Sequence, residues 1–242
     1  MKNKKIIFEA SSPHSEFLLS SPIPATNIVP EWFKKQKNYS NNENNILKAH
    51  KQKNNFSATY KMCVPVTDSM TSGYMILNST DILVQNVGNE TQYIPYINWK
   101  TTFDVIDLQK PEAIANYPIP VGFNSEPFRW LHDWKIITPN GYSLFITHPM
   151  HRHDLPFFTL SAIVDTDKHP NRLLLPFFIK NGFEGIIEEG TPIAQIMPFK
   201  RDSWKSEKKS FKNETSIIYD NFMKLNYTRT YKNKIWNRKK YE

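Results

Sequence analysis

His148, His151, Arg152, His153 and Asp154 crowd a short stretch of the 242-residue chain, and imidazole and carboxylate are the groups that ligate metals or move protons near neutral pH. If the stretch were a strand, alternate residues would share a face. His151 and His153 could then bind one ion, with His148 or Asp154 completing a nitrogen and oxygen set. The cluster instead lies in a loop between Thr147 and Leu155, has no identifiable distant partner, and contains Arg152, whose charge opposes a cation. It reads as a hydrogen-bonded, proton-responsive polar cluster offering ligand contacts, and no metal is expected there. Downstream, Asp165 and Asp167 could also hold a cation. Their setting, Asp-Thr-Asp-Lys-His-Pro-Asn, is equally a good turn sequence in which short acidic side chains accept from backbone amides, and turn-making is the expected role.

The elements that must position these groups read as strands. Residues 134–138 and 142–147 flank Pro139-Asn140-Gly141, and Asn-Gly supplies the positive φ of a tight hairpin, so a hairpin tip is predicted there. Residues 74–77 and 82–87 are bounded by Gly73, Asn78-Ser79 and Gly88-Asn89, the spacing of consecutive short strands. Leu155-Pro156-Phe157-Phe158 recurs as Leu175-Pro176-Phe177-Phe178; a single repeated pair in a Phe-rich chain reads as coincidence sooner than duplication. Near the N-terminus Pro22, Pro24 and Pro30 keep the chain extended, and Pro-Glu-Trp-Phe-Lys-Lys (30–35) predicts a short helix. Residues 37–55, rich in Asn, Lys and Ser, read as a polar surface excursion.

Composition bounds the function. A hydrophobic content of 39% is ample for a core and excludes disorder throughout. Aromatics at 14% with 17 Pro but only 7 Gly favour strands and rigid turns over the Gly-lined loops that cradle phosphate. Cys63 is the sole cysteine and cannot form an intrachain disulfide, which fits a cytosolic history. Only Ile6-Ile7-Phe8 follows the first lysines, too little for a secretory signal. The longest apolar run, 173–179, is interrupted by Pro176 and far too short to span a bilayer, so no membrane association is expected. Residues 203–242 carry eleven Lys and Arg against four Asp and Glu, +7 of the chain's +8. Phe211, Ile218, Phe222 and Leu225 fall at helical spacing, with Asn213 as a candidate cap, predicting a basic C-terminal helix. Tyr231, Trp236 and Tyr241 interleave with basic residues beyond it. Such a tail suits nucleic acid, because cations neutralise phosphates and rings stack on bases; packing or assembly is the favoured alternative.

Asp165 closing one strand, an apolar strand after it, and Gly190-Thr191-Pro192-Ile193-Ala194-Gln195 feeding another make residues 161–198 resemble the second half of the dUTPase and dCTP-deaminase superfamily, a β-clip fold. The resemblance implies that Gln195 bonds backbone across the barrel and that Asp165 stands where an Asp orients the attacking water. The rest of that machinery is missing. The sugar-reading aromatic falls at Lys168 and the following Gly at Pro170, the early Gly73-Tyr74 motif has Met75 where an Asp would hold metal, and Arg-Ser-Ser and a Gly-rich closing arm are both absent. Losing metal, phosphate and sugar contacts together removes the positioning and charge stabilisation that phosphoryl chemistry needs. Deaminases of the superfamily use a Glu beside the pyrimidine; Glu184, Glu188 and Glu189 are near the right segment, with a solvated turn the expected role.

Pro-Glu-Trp-Phe-Lys at 30–34, Gly73-Tyr74, His148-Pro149 before Arg152, Asp165 and Asp167, the 190–195 segment, Arg201 before Trp204, and the basic C-terminus together run over nearly the whole chain. In this set of features the chain resembles an uncharacterised tailed-phage protein family. The expectation is a mainly β protein in three parts. Residues 1–55 form an extended arm with a short helix and polar loop, 56–202 a β-clip or distorted-barrel core, and 203–242 a basic helical tail. Its expected role is a phage-encoded interaction or structural protein on a non-catalytic dUTPase-like scaffold, in the host cytoplasm or virion. It would self-associate as a trimer and have other virion proteins, and nucleic acid through 203–242, as candidate partners. The alternative is a divergent deoxynucleotide hydrolase or deaminase, for which Mg²⁺ would be needed; otherwise no cofactor is expected.

Overall fold

The structure, a computed structural model, describes residues 4–41, 56–86, 93–97, 104–169, 172–210 and 231–242. The chain divides into two units, residues 1–28 with 73–202 and residues 29–72 with 203–242. Contacts thus group the chain differently from the three consecutive segments read from composition, placing the basic tail with the helix after Pro30. Among the described residues strand exceeds helix, so the protein is mainly β.

The first unit holds β1 (Ile7–Ala10), α1 (Pro13–Leu18), β2 (Ile23–Pro24), then β5 (Tyr74–Leu77), β6 (Ile82–Asn86), β7 (Tyr93–Ile97) and β8 (Ile106–Leu108). It continues through β9 (Phe128–Ile137), β10 (Tyr142–Thr147), β11 (Phe157–Thr159), β12 (Ala162–Val164), β13 (Arg172–Ile179), β14 (Gly185–Ile187) and β15 (Pro192–Lys200). The intervening β3 (Tyr39–Asn41) and β4 (Phe56–Ala58) belong to the second unit, with α2 (Glu31–Lys35) and α3 (Val64–Thr71). One five-stranded antiparallel sheet runs β1-β9-β13-β11 with β8 also on β9; the other runs β12-β10-β15-β5-β2. A three-stranded sheet, β14-β6-β7, completes the unit.

Strand β9 shows why the large sheets face each other. Phe128, Trp130, His132, Trp134 and Ile136 fall on one side and are buried, as the period of two requires. Trp130 stacks on Phe177 at 3.8 Å and 10°, with Phe157 edge-on at 5.0 Å. Its indole N–H donates to Thr159 Oγ1, whose hydroxyl donates to the Ile193 carbonyl of the opposite sheet. Phe8 meets Tyr74 across the same interlayer, 5.1 Å apart.

Two local expectations change. Residues 138–141 do form a tight turn, closed by Tyr142 N–H to Pro139 O, but β9 and β10 lie in different sheets, so it is an arch and not a hairpin. Only Gly141 takes a positive φ (82°) there, whereas a two-residue hairpin needs that geometry at both central positions. The two Leu-Pro-Phe-Phe segments lie side by side: Phe158 pairs with Phe178, Lys180 N–H donates to Pro156 O, and Leu160 N–H donates to Pro176 O. Pro176 cannot return that bond, and β11 ends at Thr159, where the missing donor is not needed.

In the second unit α2 forms at the expected segment and buries Phe33. The β3–β4 pair is tied by Thr59 N–H to Asn38 O. Trp236 Nε1 and Lys239 Nζ both donate to Asp68 Oδ2 on α3, at 2.8 and 2.6 Å. The predicted stripe of Phe211, Ile218, Phe222 and Leu225, and most of the polar excursion at 37–55, lie outside the described residues. No helix among the described residues is long and apolar enough to cross a membrane.

Candidate functional site

Register brings the acidic turn to its partners. Leu144 pairs with Val164 on β12, and Tyr142 with Lys200 on β15, so Ser143, Asp165 and Arg201 converge beside the arch. Ser143 Oγ donates to Asp165 Oδ1 at 2.6 Å, and Arg201 Nη1 lies 3.1 Å from the same oxygen. Asp167 accepts from Gly141 N–H at 2.8 Å and is gripped by Arg201 through both Nη1 and Nη2. Arg201 also donates to Tyr142 O and Ser143 Oγ. The Ser143 hydroxyl, then Arg201, hold the Asp165 carboxyl below the usual range. Arg201 first, then the Gly141 amide, pull Asp167 down to about 2. The arrangement locks the turn: a carboxylate this stabilised is a weakened base, and the bidentate fork fixes geometry. Arg201 and Ser143 were not singled out as site residues from sequence, because their roles exist only once three strands are in register.

The histidine loop is built differently. Gln195, fully buried on β15, accepts the Met150 N–H at 3.0 Å and so anchors the loop from the sheet. His148 is buried at 8% exposure, and Thr159 N–H points at its Nδ1 at 3.4 Å. That makes Nδ1 the acceptor, so Nε2 carries the proton and donates to Arg152 O at 3.0 Å. Burial, above all, lowers the His148 pKa and keeps the ring neutral. His151 takes a left-handed φ of 62°, which turns the loop. Its ring stands perpendicular to His153 at 6.5 Å. Arg152 Nε and Nη2 pair with Asp154 at 3.0 Å. Among the described residues no three His, Cys, Asp or Glu side chains are grouped to hold a metal ion.

The structure thus separates the sequence candidates into two places. Asp165 and Asp167 belong to the arch; His148, His151, Arg152, His153 and Asp154 form the loop that Gln195 ties down. His148, Arg152 and His153 line a cavity of about 300 Å³ together with Phe123, Phe158 and Lys180. These last three were missed, since nothing in their spacing signals that they meet. Glu184 is exposed just before β14, and Glu188 and Glu189 are exposed in the β14–β15 turn, where Asn78 Nδ2 bonds the Ile187 and Glu188 carbonyls. No protein-family model matches the chain, and no curated protein matches it.

Proposed function

We propose that the chain is a phage-encoded interaction or structural protein on a dUTPase-like β-clip scaffold that does not process deoxynucleotides. The observation that carries the non-catalytic part is the engagement of Asp165, whose Oδ1 is committed to Ser143 and Arg201. An aspartate that orients water must keep a free, adequately basic oxygen facing substrate. Here Oδ1 serves the turn and the carboxyl is held below its usual range, which weakens it as a base, and Met75 at the metal position of the resemblance pairs in register with Gln195 inside a sheet. The phage origin and the scaffold type rest on the sequence resemblances. Partners in this reading are further copies of the chain in a trimer, other virion proteins, and nucleic acid through 203–242; location is the host cytoplasm or the virion.

The test is incubation of the full chain with a panel of deoxynucleotides and Mg²⁺. Neither pyrophosphate nor ammonia is released in this reading, and Asp165→Asn changes melting temperature or assembly. Turnover that vanishes in Asp165→Asn would establish the divergent hydrolase or deaminase instead. Mass spectrometry of purified virions decides between a virion component and a purely intracellular protein.

A further inference from the structure

We infer that the cavity between the histidine loop, β11 and the end of β13 binds a small aromatic anion, a single ring bearing a phosphate or carboxylate. Its inner surface is apolar: Leu155 and Phe157 are buried beneath it. Its sides are rings, with Phe158 stacked on His148 at 5.1 Å and 28° and packed against Phe123 at 5.9 Å. Rings packed together in this way leave outer faces and edges against which another planar ring can pack.

The rim gives the sign of the ligand. Arg152 and Lys180 line the cavity, and among the described residues no carboxylate does. Asp154 takes Nε and Nη2 of Arg152, leaving the Nη1 edge without a partner among the described residues. Lys180 is exposed, its backbone N–H is spent on Pro156 O, and its ammonium has no acidic partner among the described residues. An unpaired cation beside an aromatic pocket is complementary to an anion carried on an apolar body.

Size and rigidity narrow the class. About 300 Å³ is at the lower end of small-molecule pockets, which suits one ring with one acidic group and not a nucleoside triphosphate. The loop forming one wall is already fixed by Gln195 on Met150 and by both nitrogens of His148. Little ordering is left for the ligand to impose. The site is separate from Asp165 and does not depend on whether the chain hydrolyses deoxynucleotides.

The test titrates the full chain by calorimetry and NMR with phenyl phosphate, benzoate, inorganic phosphate and benzylamine. Phenyl phosphate or benzoate should saturate with a Kd on the order of 1 mM or tighter, and the preferred one identifies the acidic group. Inorganic phosphate should bind roughly tenfold more weakly and benzylamine not saturably. Lys180→Glu, at an exposed position that leaves the core intact, should weaken the preferred anion about tenfold, and Phe123→Leu should weaken it without affecting the phosphate ion. The inference is overturned if neither aromatic anion saturates by about 10 mM, if benzylamine binds as well, or if Lys180→Glu binds unchanged.

Discussion

His132 projects from β9 into the core at 4% exposure, and neither ring nitrogen makes a hydrogen bond of normal geometry among the described residues. Burial pushes its pKa from 6.5 to about 4, against the smaller favourable effects of the Trp134 backbone and Asp133. The folded state therefore resists a proton that the unfolded chain accepts, and stability falls as pH drops from about 6.5 to about 4. On the order of 3 kcal/mol is lost across that window. Urea unfolding across it should show the slope in the native chain and a flatter profile in His132→Leu. Asp167 acts lower on the scale. Its depressed pKa contributes stability that is complete above the ordinary carboxylate value of 3.8 and is lost as pH falls through about 2. Melting temperature followed through that range should decline in the native chain, whereas Asp167→Asn should begin lower and change less.

At the scale of elements, the entry to β5 is the least tolerant point. Gly73 has φ 75°, and a Cβ there would lie 2.0 Å from the Ile196 carbonyl oxygen of β15. Gly73 O also receives the Ala25 N–H beside β2. A side chain must therefore both adopt a left-handed backbone and push apart two paired strands. Gly73→Ala should cost at least about 2 kcal/mol in denaturant unfolding; a loss below about 0.5 kcal/mol would show that the strands yield easily. In the second unit, Asp68→Ala removes the acceptor shared by Trp236 and Lys239 and should cost roughly 1 kcal/mol. Proteolysis of the C-terminal residues should then accelerate, and an unchanged cleavage rate would argue that these bonds do not hold the tail.

At the scale of the whole molecule, the proposed trimer and the charged tail make separable predictions. Closed symmetry would cover edge strands such as β12, where Ile163 is 66% exposed. Sedimentation at micromolar concentration should give three times the chain mass, and a monomer throughout would remove the trimer. With +7 of the net charge in 203–242, retention on a nucleic-acid column, if present, should disappear when that segment is removed and should fall steeply with salt. Undiminished retention would place polyanion binding in the remaining chain.

What the sequence determined by itself is local. The β character followed from aromatic and β-branched runs punctuated by Pro and Asn. The α2 helix followed from Pro30 and Glu31, and the turn into a buried β15 from Gly190, because in each case neighbouring residues suffice to fix φ, ψ and the buried face. The short helices α1 and α3 carried too few turns for a periodic signal. Partner choice between strands was not local: Pro139-Asn140-Gly141 specifies a reversal, yet whether the two arms pair or part into opposite sheets depends on what β13 and β15 offer them. The candidate groups show the same division. Asp165 and Asp167 were legible as turn-formers from their own stretch, whereas Arg201, thirty-four residues beyond Asp167, reaches them only through the register of β12, β10 and β15. Phe123, Phe158 and Lys180 meet the histidine loop for the same reason. Long-range antiparallel pairing is set by the total burial of two facing sheets, a quantity that belongs to the folded chain and to no segment of it.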